Sequence, residues 1–229
     1  AGLDVEMCFG IFTYQDHLED LVNSGEVSMK VLDEAVRRVL TLKYKLGLFD
    51  NPYRDIEEAK KALCTAEGRK LAYKSAVKSV VLLKNCGNIL PLSEKSKIAV
   101  AGPMADSREE MLGSWSALGK AEECVAPIEG IKKYVDVPFA GGCSLIGSES
   151  NFDEVTQAAS DADTVVAFIG EPRDMNGEGK SRTSNTIPGE QINLLRHIKS
   201  LGKKLVSVVI AGRPVVLSEV VELSDAVLF

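Results

Sequence analysis

Apolar residues between Ser28 and Gly47 fall at Leu32, Ala35, Val36, Val39, Leu40 and Leu46, a spacing that lines them along one face of a helix. Ser28 suits the N-cap of that helix and Gly47 its stop. Glu34 and Arg38 stand four residues apart and are placed to pair on its exposed face. The first 50 residues read as mostly helical, with a stripe that needs a partner surface. Asp50-Asn51-Pro52-Tyr53 breaks the pattern and is the candidate domain boundary. Beyond it a helix is expected from about Ala66 to Lys78. It leads into Val80-Val81-Leu82-Leu83, and a turn follows from Asn85 to Gly87.

From there short apolar runs alternate with amphipathic segments. Ile98 to Ala101, Val135 to Ala140, Thr164 to Gly170, Leu205 to Ala211 and Ala226 to Phe229 are rich in β-branched residues and apolar on both faces, as strands of a covered parallel sheet are. Helices are expected from Glu109, from Asn151 to Ala162 and from Pro188 to Leu201, with Pro188 in the first turn. The fold class that follows is α/β, a three-layer α/β sandwich with a mostly parallel sheet. The chain has no internal repeat and no low-complexity tract.

Composition narrows the function classes. The 229 residues are 45% hydrophobic and 26% charged with a net charge of -6, which suits one to two globular domains. The acidic balance and the lack of a dense Lys/Arg cluster argue against nucleic acid as a partner. Lys60-Lys61 and Lys132-Lys133 read as solvated helix faces. No apolar run approaches the length of a membrane span, so no membrane partner is expected. Ala1-Gly2-Leu3-Asp4 is neither a signal peptide nor a natural start, and the chain is expected to begin inside a larger protein. Its stop at Phe229, within an expected strand, looks equally unnatural. Cys8, Cys64, Cys86, Cys124 and Cys143 are odd in number, widely spaced and form no CxxC pair. That argues against a disulfide framework and a zinc site. Read as small buried thiols, they favour a reducing compartment, and so the cytoplasm.

The stretch from Gly170 to Arg182, Gly-Glu-Pro-Arg-Asp-Met-Asn-Gly-Glu-Gly-Lys-Ser-Arg, carries the densest chemistry. It follows an apolar strand directly, where ligand sites of open α/β sheets lie. The loop is long, and long loops are usually functional or disordered. Gly177 and Gly179 flank Glu178 and free the backbone there to project its carboxylate. A solvated polar loop explains the same residues, and spacing alone does not choose. Gly179-Lys180-Ser181 resembles the end of a phosphate loop, but that motif needs a glycine where Asp174 stands. A carboxylate there repels phosphate. His17 and His197 lie on expected helices without a nucleophile partner, and no GxSxG elbow exists. Trp115, the single Trp, sits in Leu112-Gly113-Ser114-Trp115-Ser116. It is placed either to stack on a sugar ring or to pack in a core or interface.

The order of several segments resembles glycoside hydrolase family 3, in its bacterial β-glucosidase branch. Ala1-Gly2-Leu3-Asp4-Val5-Glu6-Met7 is similar to the last strand of that family's barrel. Asp33 to Leu40 with Lys43 to Phe49 is similar to the helix that closes it, and Asn51-Pro52-Tyr53 to its continuation. Ser79 to Asn85 with Leu90-Pro91-Leu92, Ile98 to Pro103, Gly113 to Ser116 and Gly212-Arg213-Pro214 resemble parts of the second domain. The resemblance implies residues 1–50 as the C-terminal end of a (β/α)8 barrel, 51–79 as linker and connecting helix, and 80–229 as the α/β sandwich domain, cut short at its end.

The resemblance also implies a retaining, exo-acting β-glycosidase with a barrel Asp as nucleophile and a sandwich-loop Glu as acid/base. Asn176-Gly177-Glu178-Gly179 matches the acid/base segment, so Glu178 inherits that role. Glu171 is the runner-up, because it follows the strand directly. Arg182 is placed to hold a substrate hydroxyl or a neighbouring carboxylate, and Trp115 to contact the sugar. The family nucleophile lies in Ser-Asp-Trp or Ser-Asp-Tyr, whereas this chain has only Ser160-Asp161-Ala162 and Ser224-Asp225-Ala226. The nucleophile is therefore expected to be absent and the isolated chain inactive. No metal or other cofactor is implied. Expected partners are an oligosaccharide or β-glucoside substrate, the missing barrel portion of the parent chain and a second copy in a homo-oligomer. The family alternative for location is periplasmic or secreted. Two competing readings are a non-catalytic carbohydrate-binding or protein-interaction α/β domain, and a flavodoxin-like small-molecule domain, which the missing phosphate loop disfavours.

Overall fold

A computed structural model describes residues 3–7 and 10–229. Cys8 and the Ala1-Gly2 pair of the N-terminal match lie outside the described residues. The chain forms two compact units, Ala1–Lys74 and Ser75–Phe229. The division lies inside the span 51–79 that the sequence assigns to the connection.

The first unit holds α1 (Thr13–Asn23), α2 (Met29–Lys45), α3 (Ile56–Ala62) and the start of α4 (Ala66–Ser79). Helix α2 begins and ends where the apolar period does. The Glu6 carboxylate accepts from the Thr13 and Tyr14 backbone N–H groups at 3.1 and 2.8 Å, which satisfies unpaired donors in the first turn of α1. Arg38 grips Asp4 with two hydrogen bonds of 2.7 and 2.6 Å, so its pairing with Glu34, at 3.8 Å, is the weaker one. Leu32, Ala35 and Val39 of the α2 stripe are half-buried, while Val36, Leu40 and Leu46 are exposed.

The second unit is built on β1 (Leu82–Asn85), β2 (Ile98–Ala101), α5 (Pro127–Ile131), β3 (Phe139–Ala140), α6 (Phe152–Ala158), β4 (Thr164–Gly170), α7 (Gln191–Ser200), β5 (Lys204–Ile210), α8 (Ser218–Leu223) and β6 (Ala226–Leu228). The six strands form one sheet in the order β1-β6-β5-β4-β2-β3. All neighbouring pairs are parallel except β1 with β6. Alternate side chains of β4 serve opposite faces, as the period of two requires. Val165, Ala167 and Ile169 join Val155 of α6, Leu194 and Ile198 of α7 and Val220 of α8. Val166 and Phe168 join Ile128 of α5 on the other face. This is the expected α/β sandwich with a mostly parallel sheet.

Some element limits differ from the sequence reading. Only Phe139–Ala140 of the expected Val135 to Ala140 strand pairs with β2. Pro138 has no N–H to give a ladder, and Val135 is still bonded to Ile131 at the end of α5. The helix expected from Glu109 is a single 3-10 turn, Glu110–Leu112, ended by Gly113 at φ 70°. Helix α7 starts at Gln191, because Gly189 at φ 65° separates Pro188 from it. Helix α6 stops at Ala158, short of Ala162. The sequence does not mark β1, α5 or α8, and it marks α3 only by the exposed Lys60-Lys61 face. They are short, and short elements carry little periodicity.

Gln191 is fully buried and its amide closes the end of β4. Its Oε1 accepts from Gly170 N–H at 2.8 Å, and its Nε2 donates to the carbonyls of Gly170 (2.8 Å), Leu145 (2.9 Å) and Pro188 (3.1 Å). A Cβ on Gly170 would run into the Ile210 carbonyl of β5. Replacing Gln191 by Leu removes every one of these partners. We expect a loss of about 2–3 kcal/mol, seen as a fall of about 4–10 °C in the melting temperature of the second unit. An unchanged melting temperature would refute this account of the strand end.

Candidate functional site

Strand order fixes where a site can lie. The chain runs outward from β2 to β3, then reverses to β4, β5 and β6 on the other side of β2. The crossover helix changes face at the same point, from α5 on one side to α6, α7 and α8 on the other. A crevice therefore opens between the loops that leave β2 and β4 at the carboxyl edge of the sheet. The first of these loops carries Trp115 and the second carries Glu178.

A cleft of about 500 Å³ lies between the two loops, lined by Ser114, Trp115, Arg173, Asn176, Gly177 and Glu178 among others. That volume suits a small-molecule site. Trp115 is 73% exposed, so the core alternative does not hold for it. Gly177 has φ 105°, and a Cβ there would stand 3.1 Å from the Ser114 Cβ. Both facts favour glycine immediately before Glu178. The Glu178 side chain is exposed on the cleft wall, and among the described residues it has no hydrogen-bond or ion-pair partner.

Glu171 lies in the opposite environment. Its side chain is wholly buried and meets two guanidinium groups. Arg213 donates from Nε to Oε2 at 2.9 Å and from Nη2 to Oε1 at 2.6 Å. Arg182 donates to Oε1 from Nη1 and to the Thr186 carbonyl at 3.3 Å from Nη2. Arg182 thus meets the Glu171 carboxylate. Burial alone would raise the Glu171 pKa, but the hydrogen bonds from Arg213 and Arg182 outweigh it and set the carboxyl below its ordinary range. A carboxylate held in this way stays ionised, and three guanidinium N–H groups occupy its oxygens.

The sequence had paired Arg213 with no partner. The pairing follows from the register of the folded sheet: Gly170 of β4 is level with Ile210 of β5, so residues just past the two strand ends meet at one edge. The remaining candidates are outside the cleft. His197 stacks on Phe152 with ring centroids 5.2 Å apart and has its Nε2 2.8 Å from Thr156 Oγ1. His17 is exposed on α1. The described cysteines are free thiols, but Cys64 and Cys86 are exposed and Cys124 and Cys143 half-buried, so they are not the buried thiols expected from the sequence. Burial, with Glu190 nearby, pushes the Cys143 thiol up to about 11, which keeps it unreactive at neutral pH. Among the described residues no group of three His, Cys, Asp or Glu is placed to hold a metal, and no helix is long and apolar enough to cross a membrane.

The Glu171 pair has a measurable consequence. Glu171→Gln leaves two guanidinium groups facing an uncharged amide, at a cost of about 3 kcal/mol near neutral pH. Because the folded pKa is depressed, this stabilisation is complete above the unfolded value of 4.5 and is lost as pH falls through the folded value. Urea midpoints of the two proteins should therefore differ clearly at pH 7 and converge in acid. A gap that stays constant with pH would contradict the ionised pair.

Known proteins are similar to this chain in sequence and fold. A family model described as the glycosyl hydrolase family 3 C-terminal domain matches residues 80–229. A periplasmic β-glucosidase of Salmonella typhimurium is 38% identical over an alignment covering 100% of this chain and 34% of that protein. A β-xylosidase of Formosa agariphila is 34% identical over 97% of this chain and 33% of its own length. The crystal structure of a β-glucosidase from Listeria innocua in complex with glucose superposes with a TM-score of 0.84 at 36% identity, covering 99% of this chain and 31% of that one. The chain thus spans about a third of the length of the relatives it matches. With the sheet order, the cleft at its reversal point and the match over 80–229 agreeing, the chain belongs to glycoside hydrolase family 3 and carries that family's C-terminal domain.

Proposed function

We propose that this chain is the acid/base-bearing part of a retaining, exo-acting β-glycosidase that removes terminal β-D-glucosyl residues from oligosaccharides or β-glucosides. Glu178 is the acid/base. The observation that carries the assignment is the contrast between the two candidate carboxylates. Glu171 is buried between Arg182 and Arg213, ionised and occupied, which suits a structural anchor. Glu178 stands unpartnered on the wall of a cleft it shares with Trp115, free to exchange a proton with a sugar oxygen.

Retaining hydrolysis uses two carboxyl groups about 5–5.5 Å apart. One attacks the anomeric carbon. The other protonates the leaving oxygen and then takes a proton from the incoming water. The attacking Asp belongs to the upstream barrel, because no Ser-Asp-Trp or Ser-Asp-Tyr segment occurs in this sequence. Trp115 offers a flat apolar face to the sugar. Arg182 acts indirectly by holding Glu171 at the root of the loop. Names of the relatives support β-glucosides first and β-xylosides second, and the Salmonella relative supports a periplasmic location.

In the full reading frame, Glu178→Gln should lower kcat/KM for a β-glucoside with a weakly acidic leaving group by about 10²- to 10⁴-fold. On a 2,4-dinitrophenyl β-glucoside, which forms the glycosyl-enzyme without an acid, added azide should raise kcat of the variant by attacking that intermediate in place of activated water. Retention of more than a tenth of the activity would remove Glu178 from the role. The 229-residue chain by itself should release no phenol from an aryl β-glucoside. Clear turnover that Glu178→Gln abolishes would overturn the placement of the nucleophile outside it.

A further inference from the structure

A carboxylate on a glycine-flanked loop is useful as an acid only if the loop holds it in one place. The residues just before Glu178 are held unusually well. Two consecutive carboxylates at the turn after β2 grip Arg173: Glu109 pairs with its guanidinium, and Glu110 Oε2 accepts from its backbone N–H at 2.5 Å. Arg173 Nη1 also donates to Ser116 Oγ at 3.3 Å. Three residues on, Asn176 Oδ1 accepts from Ser114 Oγ at 2.8 Å. The Asn176 side chain lies against Gly212, where a Cβ would collide with it. Gly177 then packs on Ser114. The loop after β4 is thus tied to the loop after β2 at Arg173, Asn176 and Gly177, and Glu178 is the next residue.

The ties have little value as stability. The Arg173 pair is part-exposed, with Arg173 at 30% and Glu109 at 52% side-chain exposure, and ion pairs of that kind contribute little. Their geometry is better explained by position. Arg173 reaches both ends of the segment from Glu109 to Ser116, and Trp115 lies inside that segment. One guanidinium therefore sets the two walls of the cleft relative to each other.

We propose that Arg173 is a positioning residue for the acid step, acting through Glu109, Glu110 and Ser116, with Asn176 and Ser114 as a second tie. The proposal rests on the reading of Glu178 as the acid/base. Displacing an acid by about 1 Å costs on the order of 10²-fold in rate. That cost falls on leaving groups that need a proton and spares those that do not.

The test is made in the full-length enzyme with a series of aryl β-glucosides, or β-xylosides if those are the better substrates. Arg173→Ala should lower kcat/KM by about 10- to 100-fold for an unsubstituted phenyl glycoside. For the 2,4-dinitrophenyl glycoside, whose phenolate leaves unprotonated, the fall should be under about 3-fold. Glu109→Gln and Ser116→Ala should repeat the pattern at smaller size, and they carry the test if Arg173→Ala fails to fold. Arg173→Lys, which keeps the charge but not the fork, should fall between. An equal loss across all phenols, or none, in these variants overturns the inference. Glu178→Gln in the same series separates the two claims. If it shows the leaving-group dependence and the Arg173, Glu109 and Ser116 variants do not, only the positioning role fails. If Glu178→Gln slows all phenols alike, the acid/base reading fails and the positioning role with it.

Discussion

A buried carboxylate between two guanidinium groups holds the working end of this domain together. Glu171 is the first residue past β4, and its backbone N–H is bonded to the Ile210 carbonyl of β5 at 3.0 Å. Its charge cannot stay in a dry site without partners. Arg213, from the loop after β5, and Arg182, from the far side of the Glu178 loop, supply them. One side chain therefore joins two strand exits and both limbs of the loop that carries the proposed acid. The same partners that make Glu171 an anchor also stabilise its ionised form, which is why the proposal places the proton donor at Glu178.

Burial thus puts two glutamates seven residues apart in opposite environments. The arrangement follows from the topology. Reversal of strand order beside β2 leaves the exits of β2 and β4 facing each other, with the cleft between them. Ties from Arg173 and Asn176 then turn two independent loops into one wall. The family's C-terminal domain matches this region, and the relatives at 34% and 38% identity are glycosidases.

The sequence made the layers of this fold readable because a covered sheet needs apolar residues on both strand faces. Thr164 to Gly170 could hardly be anything else. Helix α2 was readable for the complementary reason: Leu32, Ala35 and Val39 repeat over several turns. The short elements β1, α5 and α8 were not readable. Their identity depends on neighbours, as in the antiparallel docking of Leu82–Asn85 on β6. The loop was legible as chemistry but not as structure. Glycines beside Glu178 and charges after a strand marked the region. The division between Glu171 and Glu178 needed Arg213, 42 residues away in the chain, and local sequence carries no record of that contact.

Trp115 gives the domain one further property. It is the only tryptophan in the sequence, it is largely solvent-exposed, and it shares the cleft with Glu178. Indole emission depends on the polarity around the ring, and here it comes from a single place. The molecule therefore contains its own optical gauge: the emission of the unlabelled protein reports the wetness of the cleft wall, and nothing else in the chain contributes a second indole signal.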